Sequence, residues 1–304
     1  MPLIIPKNLP AFGVLQDENI FVIPHQRAIT QDIRPLDILI VNLMPNKIVT
    51  ETQLARALAN SPLQVRLTLL RMGSHDSKNT PSEHIAAFYK TLNGVQQNRF
   101  DGMIVTGAPL EHLAYEDVDY WEELCSLFAF SRKNVYSTFY LCWGALAGLY
   151  YHYGLPKTML PQKLSGVYHH TVTRPGNPLV RGFDEFFYAP HSRYAGAAPE
   201  DVAKIPALRV LAESEEAGLH LLSTENGRDI FCLGHTEYDK ETLHLEYLRD
   251  IKQGLNPSIP AHYYQGDDPA SPVIYRWRGH ASLMFANWLN YYVYQSTPFD
   301  LSTL

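Results

Sequence analysis

The chain has 304 residues, of which 46% are hydrophobic and 18% charged, with a net charge of −6. That length and composition suit an ordinary folded protein with a large core, and the acidic balance argues against a nucleic-acid or anionic-membrane surface. The longest apolar stretch, Leu36 to Met44, is interrupted by Asp37 and Asn42, well short of the roughly 20 residues of a membrane span.

The start, Met-Pro-Leu-Ile-Ile-Pro-Lys-Asn-Leu-Pro, has too short an apolar patch and too many prolines for a secretory signal. Three cysteines, Cys125, Cys142 and Cys232, cannot all pair, and nothing else points to an oxidising compartment. A cytoplasmic protein is expected. Residues 1–34 read as an N-terminal arm, 35–255 as an α/β catalytic core and 256–304 as a C-terminal extension, all within one domain.

In chain order, Leu36 to Met44 predicts a buried strand. Thr50-Glu-Thr-Gln53 has capping-box spacing at the head of a helix ending near Asn60. Gln64 to Met72 predicts a second strand, and Thr80-Pro81 the N-cap and first residue of a helix running to about Leu92. Asp101 to Gly107 is a third strand, followed by a helix from about Val118 to Ser131. Val135 to Leu141, almost all β-branched or aromatic, is a fourth strand. The small residues Gly144, Ala145, Ala147 and Gly148 then let a helix press closely on the strand it leaves. This alternation predicts a doubly wound, mostly parallel sheet with its site at the carboxyl ends of the strands. Lys47, Gly107, Cys142 and His235 follow such ends and should converge. Between about Pro161 and Thr224 shorter β pieces, including Leu164 to Thr173 and Leu208 to Glu213, suggest added strands at the sheet margin. Asp239 to Gly254 and Gly279 to Gln295 read as closing helices.

Cys142 stands in the turn between strand and helix, the sequence form of a nucleophile elbow. Backbone N–H groups at the helix start could favour the thiolate and receive an oxyanion. The same local pattern also fits a buried structural cysteine. A partner base decides between them: Arg-Asp-Ile-Phe-Cys-Leu reads as a further strand delivering Gly234-His235-Thr236-Glu237. Period-two spacing puts His235 and Glu237 on one side, so imidazole and orienting carboxylate are both available to the thiol. There is no Gly-x-Gly-x-x-Gly fingerprint, phosphate loop, His-Glu-x-x-His or Cys-x-x-Cys, and His169-His170 is adjacent, so no metal site is expected.

Long ordered blocks carry a resemblance. IRPLDILIVNLMPNK, NSPLQV, FDGMIVTGAPL, the Cys142-Trp143 elbow, KLSGVYHH, APHSRYA, the His235-x-Glu237-Tyr238-Asp239 segment and NWLNYYVYQSTPFDL resemble the homoserine O-acyltransferases of methionine biosynthesis, also called homoserine transsuccinylases. The resemblance implies a flavodoxin-like fold of the class I glutamine amidotransferase kind. It also implies a ping-pong reaction in which Cys142 is acylated by an acyl-CoA and passes the group to an amino-acid hydroxyl, with His235 as base and Glu237 as its orienting acid. Lys163, Ser192 and Arg249 match the family's substrate-binding positions, while Lys47 and the backbone at Trp143 fit the site edge and oxyanion hole. Glu111 matches the position that resembles glycine in succinyl-CoA users and glutamate in acetyl-CoA users. A carboxylate there would repel the far carboxylate of a succinyl group.

The substrates implied are acetyl-CoA and L-homoserine, with no cofactor, no nucleic acid or membrane partner, and a homodimeric assembly. Two departures from the family pattern, Thr236 in place of proline and Asn46 in place of lysine, leave L-serine open as acceptor, because a missing methylene is worth only about 1–3 kcal/mol. Two rivals remain at this level. A glutaminase subunit would usually carry Gly-x-Cys-x-Gly, and here Tyr140 precedes Cys142-Trp143-Gly144. A non-catalytic binding protein on the same fold should have lost part of the triad.

Overall fold

The alternating buried runs are gathered into one twelve-stranded sheet. A computed structural model describes residues 3–18, 20–28, 34–75, 77, 79–298 and 301. The first part of the chain runs β1 (Leu3–Ile4), α1 (Pro10–Asp17), β2 (Val22–Ile23), α2 (His25–Ala28), β3 (Leu36–Val41), α3 (Lys47–Ala59), β4 (Val65–Leu70), α4 (Ser82–Phe88), β5 (Tyr89–Lys90), β6 (Phe100–Val105), α5 (Trp121–Asn134), β7 (Val135–Leu141) and α6 (Trp143–Tyr153). There follow β8 (Thr158–Val172), β9 (Phe186–Gly196), α7 (Pro199–Val202), β10 (Leu208–Ser214), β11 (Gly218–Thr224), β12 (Asp229–Cys232), α8 (Thr242–Lys252) and α9 (Arg278–Asn287), the last continuing as a π-type stretch, Trp288–Tyr294.

The strand order is β2-β1-β4-β3-β6-β7-β12-β11-β10-β8-β9, with β5 added to β4. Every pairing from β2 to β12 is parallel and every pairing from β12 to β9 antiparallel. Strands buried on both faces explain why β3 and β6 read as continuous apolar runs. One core cluster joins Ile38, Ile40, Phe139 and Ile230 to Leu3 and Leu15 near the start and to Phe285 and Trp288 near the end. The opposite cluster packs Leu39, Met103 and Tyr140 under Phe128, Trp143 and Leu146. The parallel strands therefore lie between two apolar layers.

Several expectations need correction. Part of the expected arm lies in the sheet, since Leu3–Ile4 pairs in parallel with β4. Helix α3 begins at Lys47, before the expected capping box, because the Asn46 side chain accepts from Val49 N–H. The Thr50 hydroxyl instead donates back to the Asn46 carbonyl at 3.2 Å, a bond typical inside a helix. Thr80 is not the cap of α4: its hydroxyl accepts from Lys47 N–H and donates to the Pro45 carbonyl, both at 3.2 Å. That helix stops at Phe88 because Tyr89 and Lys90 pair with β4. At the C-terminus Trp288 donates to the Ser137 hydroxyl at 3.0 Å beneath β7. Among the described residues no helix is long and apolar enough to cross a membrane.

Candidate active site

Strand β7 stops at Leu141 and α6 starts at Trp143, leaving Cys142 alone to turn the chain. Cys142 does so at φ 49°, ψ −117°, a conformation that costs a non-glycine residue about 1–3 kcal/mol. The turn is held from both sides. Cys142 N–H donates to the Cys232 carbonyl at 2.8 Å, and the Cys142 carbonyl accepts from Ala145 and Leu146 at 3.0 and 3.1 Å. Helix α6 can sit this close only because residue 144 is glycine: a Cβ there would lie 2.4 Å from the Thr106 carbonyl oxygen. Trp143 is the first residue of that helix, so its N–H is one of the amides that a helix start leaves without an intrahelical partner.

Gly107, just past β6, forms the floor. A Cβ there would stand 3.2 Å from Cys142 Cβ, 3.5 Å from His235 Cε1 and 3.6 Å from Trp143 N. Three expected neighbours thus converge at strand ends. Three residues beyond β12, His235 is fixed by its N–H donating to the Pro190 carbonyl at 2.8 Å. Its Nδ1 meets Glu237 Oε1 at 2.7 Å, and its ring stacks on Tyr238 with centroids 4.2 Å apart. Burial works against the charged imidazole, but the Cys142 thiolate and the Glu237 carboxylate outweigh it and hold the His235 pKa well above its ordinary value. A thiol, an imidazole and a carboxyl group are thus brought together at the strand ends. Among the described residues Glu237 Oε2 is buried without a hydrogen-bond partner.

The expected substrate residues also assemble, in company sequence reasoning missed. Lys163 on β8 donates to Asp250 at 2.8 Å and lies 3.7 Å from Glu246. Ser192 on β9 donates to Glu246 at 2.5 Å. Arg249 is engaged by Asp250 through Nε and Nη2 at 2.8 and 2.6 Å. Tyr238 donates its hydroxyl to the other Glu246 oxygen at 2.9 Å, so one aromatic ring links this network to His235. Glu246 and Asp250 were not singled out because charges on a helix ordinarily mark a solvated face. Here α8 is reversed: Asp250 is buried, while Leu245, Leu248 and Ile251 are exposed. The anomaly was readable as a stripe of leucine and isoleucine opposite a stripe of charges.

Lys47 is turned into its own loop, donating to the Asn42 carbonyl at 2.5 Å and to Met44 at 3.3 Å. Burial pulls its pKa down to about 8 against the pull of Glu51. It braces the loop after β3, and among the described residues its hydrogen bonds do not reach the triad. Glu111 is buried, whereas its neighbours Glu116 and Asp117 are exposed.

A further group was invisible to motif spacing. His170, His191 and His220 meet in the core, their ligand atoms within 4.8 Å of one another. Arg193 Nε donates to His191 Nδ1 at 3.1 Å, and the two Nε2 atoms of His191 and His170 are 3.0 Å apart. His170 Nδ1 reaches the Tyr168 carbonyl at 2.9 Å. With Nδ1 of His191 accepting, its Nε2 carries the proton and donates to His170, and His170 in turn donates to Tyr168. The His191 and His170 nitrogens form a hydrogen-bond relay from Arg193 to the Tyr168 carbonyl.

Known proteins share this fold and, in sequence, most of this chain. The fold resembles a glutamine amidotransferase from Thermotoga maritima, with a TM-score of 0.54 at 10% identity over 84% of this chain and 97% of that one. It likewise resembles a glutamine amidotransferase from Methylobacillus flagellatus, with a TM-score of 0.52 at 14% identity over 85% of this chain and 95% of that one. In sequence, the chain is 56% identical to the homoserine O-acetyltransferase of Clostridium acetobutylicum over 99% of this chain and all of the relative. It is 52% identical to that of Acetivibrio thermocellus over the full length of both. The model of the family described as homoserine O-succinyltransferase matches residues 2–299. With a cysteine elbow, a histidine–glutamate pair and near end-to-end agreement, the chain belongs to the homoserine O-succinyltransferase family.

Proposed function

We propose that this protein transfers an acetyl group from acetyl-CoA to the side-chain hydroxyl of L-homoserine through a thioester on Cys142. The observation that carries the chemistry is the strained Cys142 turn facing a buried His235–Glu237 pair. The thiolate sulfur attacks the thioester carbonyl, and the oxyanion meets the Trp143 N–H at the helix start. The tetrahedral adduct collapses, the bond to CoA sulfur breaks, and His235 supplies the proton that leaves with CoA. In the second half His235 takes the homoserine hydroxyl proton, the alkoxide attacks the acetyl thioester, and Cys142 departs as thiolate. Glu237 keeps the imidazole in the tautomer both steps need.

The acceptor's charged ends match the β8–β9–α8 network. Arg249 and Lys163 supply cations for an α-carboxylate, and Glu246, already accepting from Ser192 and Tyr238, supplies an acceptor for an α-ammonium. Relatives named homoserine O-acetyltransferase at 52–56% identity support acetyl as the group and homoserine as acceptor, and the inward Glu111 carboxylate supports acetyl over succinyl.

The test is CoA release from acetyl-CoA and succinyl-CoA, each with L-homoserine and L-serine, alongside mass spectrometry of Cys142. Acetyl-CoA with homoserine should be fastest. An acetyl adduct should appear on Cys142 without acceptor, and Cys142→Ala should abolish both signals. Release with homoserine but no adduct would replace the ping-pong route by direct transfer.

A further inference from the structure

Arg193 on β9 is buried, 3% exposed, yet every hydrogen bond it makes among the described residues goes to a neutral acceptor. Nε donates to His191, Nη1 to the Ala195 carbonyl at 2.6 Å and Nη2 to the Ala217 carbonyl at 2.5 Å. A guanidinium has five N–H donors, so two are left without a partner in these contacts. No carboxylate stands within ion-pair distance among the described residues, although a buried cation without a counter-anion is expensive.

The groups acting on it through space are Cys142, Tyr168 and Glu111. Tyr168 is neutral at physiological pH, its pKa pushed up to about 12 by burial, so the acidic groups that face the guanidinium are the Glu111 carboxyl and the Cys142 thiol. The backbone agrees. The His112 ring packs on Tyr194 with centroids 4.7 Å apart, seating the loop that carries Glu111 against the strand segment that carries Arg193. The Glu111 carboxylate makes no hydrogen bond or ion pair among the described residues, and its oxygens are not sealed off. A cation with spare donors and a carboxylate with spare acceptors thus sit on adjoining segments.

We infer that Arg193 is the cation of the acyl pocket, matched in this chain by Glu111, and that without Glu111 it would receive the far carboxylate of a dicarboxylic acyl group. The inference rests on the reading of Glu111 as an acyl-pocket residue and adds its counterpart. Arg193 acts here as a specificity residue. Held by His191 and two carbonyls, its guanidinium cannot swing away, so the sign of the pocket is decided by residue 111.

The experiment measures kcat/KM for acetyl-CoA and succinyl-CoA in the wild type, Glu111→Gly, Glu111→Gly/Arg193→Met and Glu111→Gly/Arg193→Lys. Glu111→Gly should raise the succinyl-to-acetyl ratio by about tenfold or more. Adding Arg193→Met should cancel that gain through KM for succinyl-CoA, and Arg193→Lys should keep part of it. Free succinate gives a second readout needing no change at Arg193. It should inhibit Glu111→Gly about tenfold more tightly than wild type, with inhibition weakened by salt. A succinyl gain that survives Arg193→Met, or equal losses with both donors, overturns the role of Arg193 and leaves the Glu111 reading in place. No gain in Glu111→Gly overturns that reading and this inference with it.

Discussion

The parallel and antiparallel halves of the sheet divide the labour. Gly107, Cys142, His235 and Glu237 all follow parallel strands, whose carboxyl ends point one way and bring their loops to one edge. Lys163, Ser192 and Arg193 lie within the antiparallel strands β8 and β9, where side chains are set by the two-residue period and not by strand ends. Groups needing sub-ångström placement sit on tight turns backed by glycine and buried core. The residues proposed to meet charged groups sit on a hairpin register with Ser165 opposite Ser192 and Leu164 opposite Arg193. The seam between the halves is β12, parallel to β7 and antiparallel to β11.

The largest expected effect breaks the parallel half alone. Glu237→Gln keeps size but removes the charge that holds His235 oriented and protonated, and should lower kcat about 10²–10⁴-fold with little change in KM for homoserine, measured by steady-state CoA release. A mainly KM effect would place Glu237 in acceptor binding.

Arg249→Ala addresses the other half. It should raise KM for homoserine about tenfold or more while kcat falls less. Equal loss in both parameters would show that α8 positions the triad instead of the substrate.

The smallest effect concerns stability. Burial pulls the His170 pKa down to about 3 and holds His191 and His220 well below the ordinary value. Below about pH 6.5 the unfolded chain takes up protons that these folded histidines refuse. Stability present above that pH is therefore lost as pH falls towards the folded values, by on the order of 1.4 kcal/mol per pH unit for each histidine. His235 acts in the opposite sense: its raised pKa favours the fold at low pH, and that contribution is lost as pH rises through the folded value. Urea midpoints between pH 7.5 and 5.5 should fall towards acid, with a flatter slope in His220→Asn. A pH-independent midpoint would mean the cluster takes up protons without unfolding.

The parallel half was largely legible because its strands are unbroken apolar runs and its catalytic residues follow them. Short pieces were not: Leu3–Ile4 and Val22–Ile23 are too brief to read as strands and acquire that state from the edge they join. In the other half, β8 and β10 were visible, whereas β9 carries Pro190, His191 and Arg193 and does not look like a strand until its partners are known. The triad could be read from two strand ends. The histidine relay could not, since it collects residues from distant segments whose spacing along the chain follows no motif, and the Glu246–Asp250 network left only the leucine–isoleucine stripe of α8 as its sign.

The place of β12 has a consequence for the order in which the molecule is made. Residues 229–232 insert between β7 and β11, about ninety positions after the strand that ends at Leu141. The β8–β9 and β10–β11 pairs are nearer neighbours in the chain and can form while it is still being synthesised. Until β12 closes the gap, Cys142 has neither the Cys232 carbonyl that holds its turn nor His235 beside it. Under the proposed mechanism the growing polypeptide therefore carries an unactivated thiol for most of its synthesis, and nucleophilic character arrives with the last central strand.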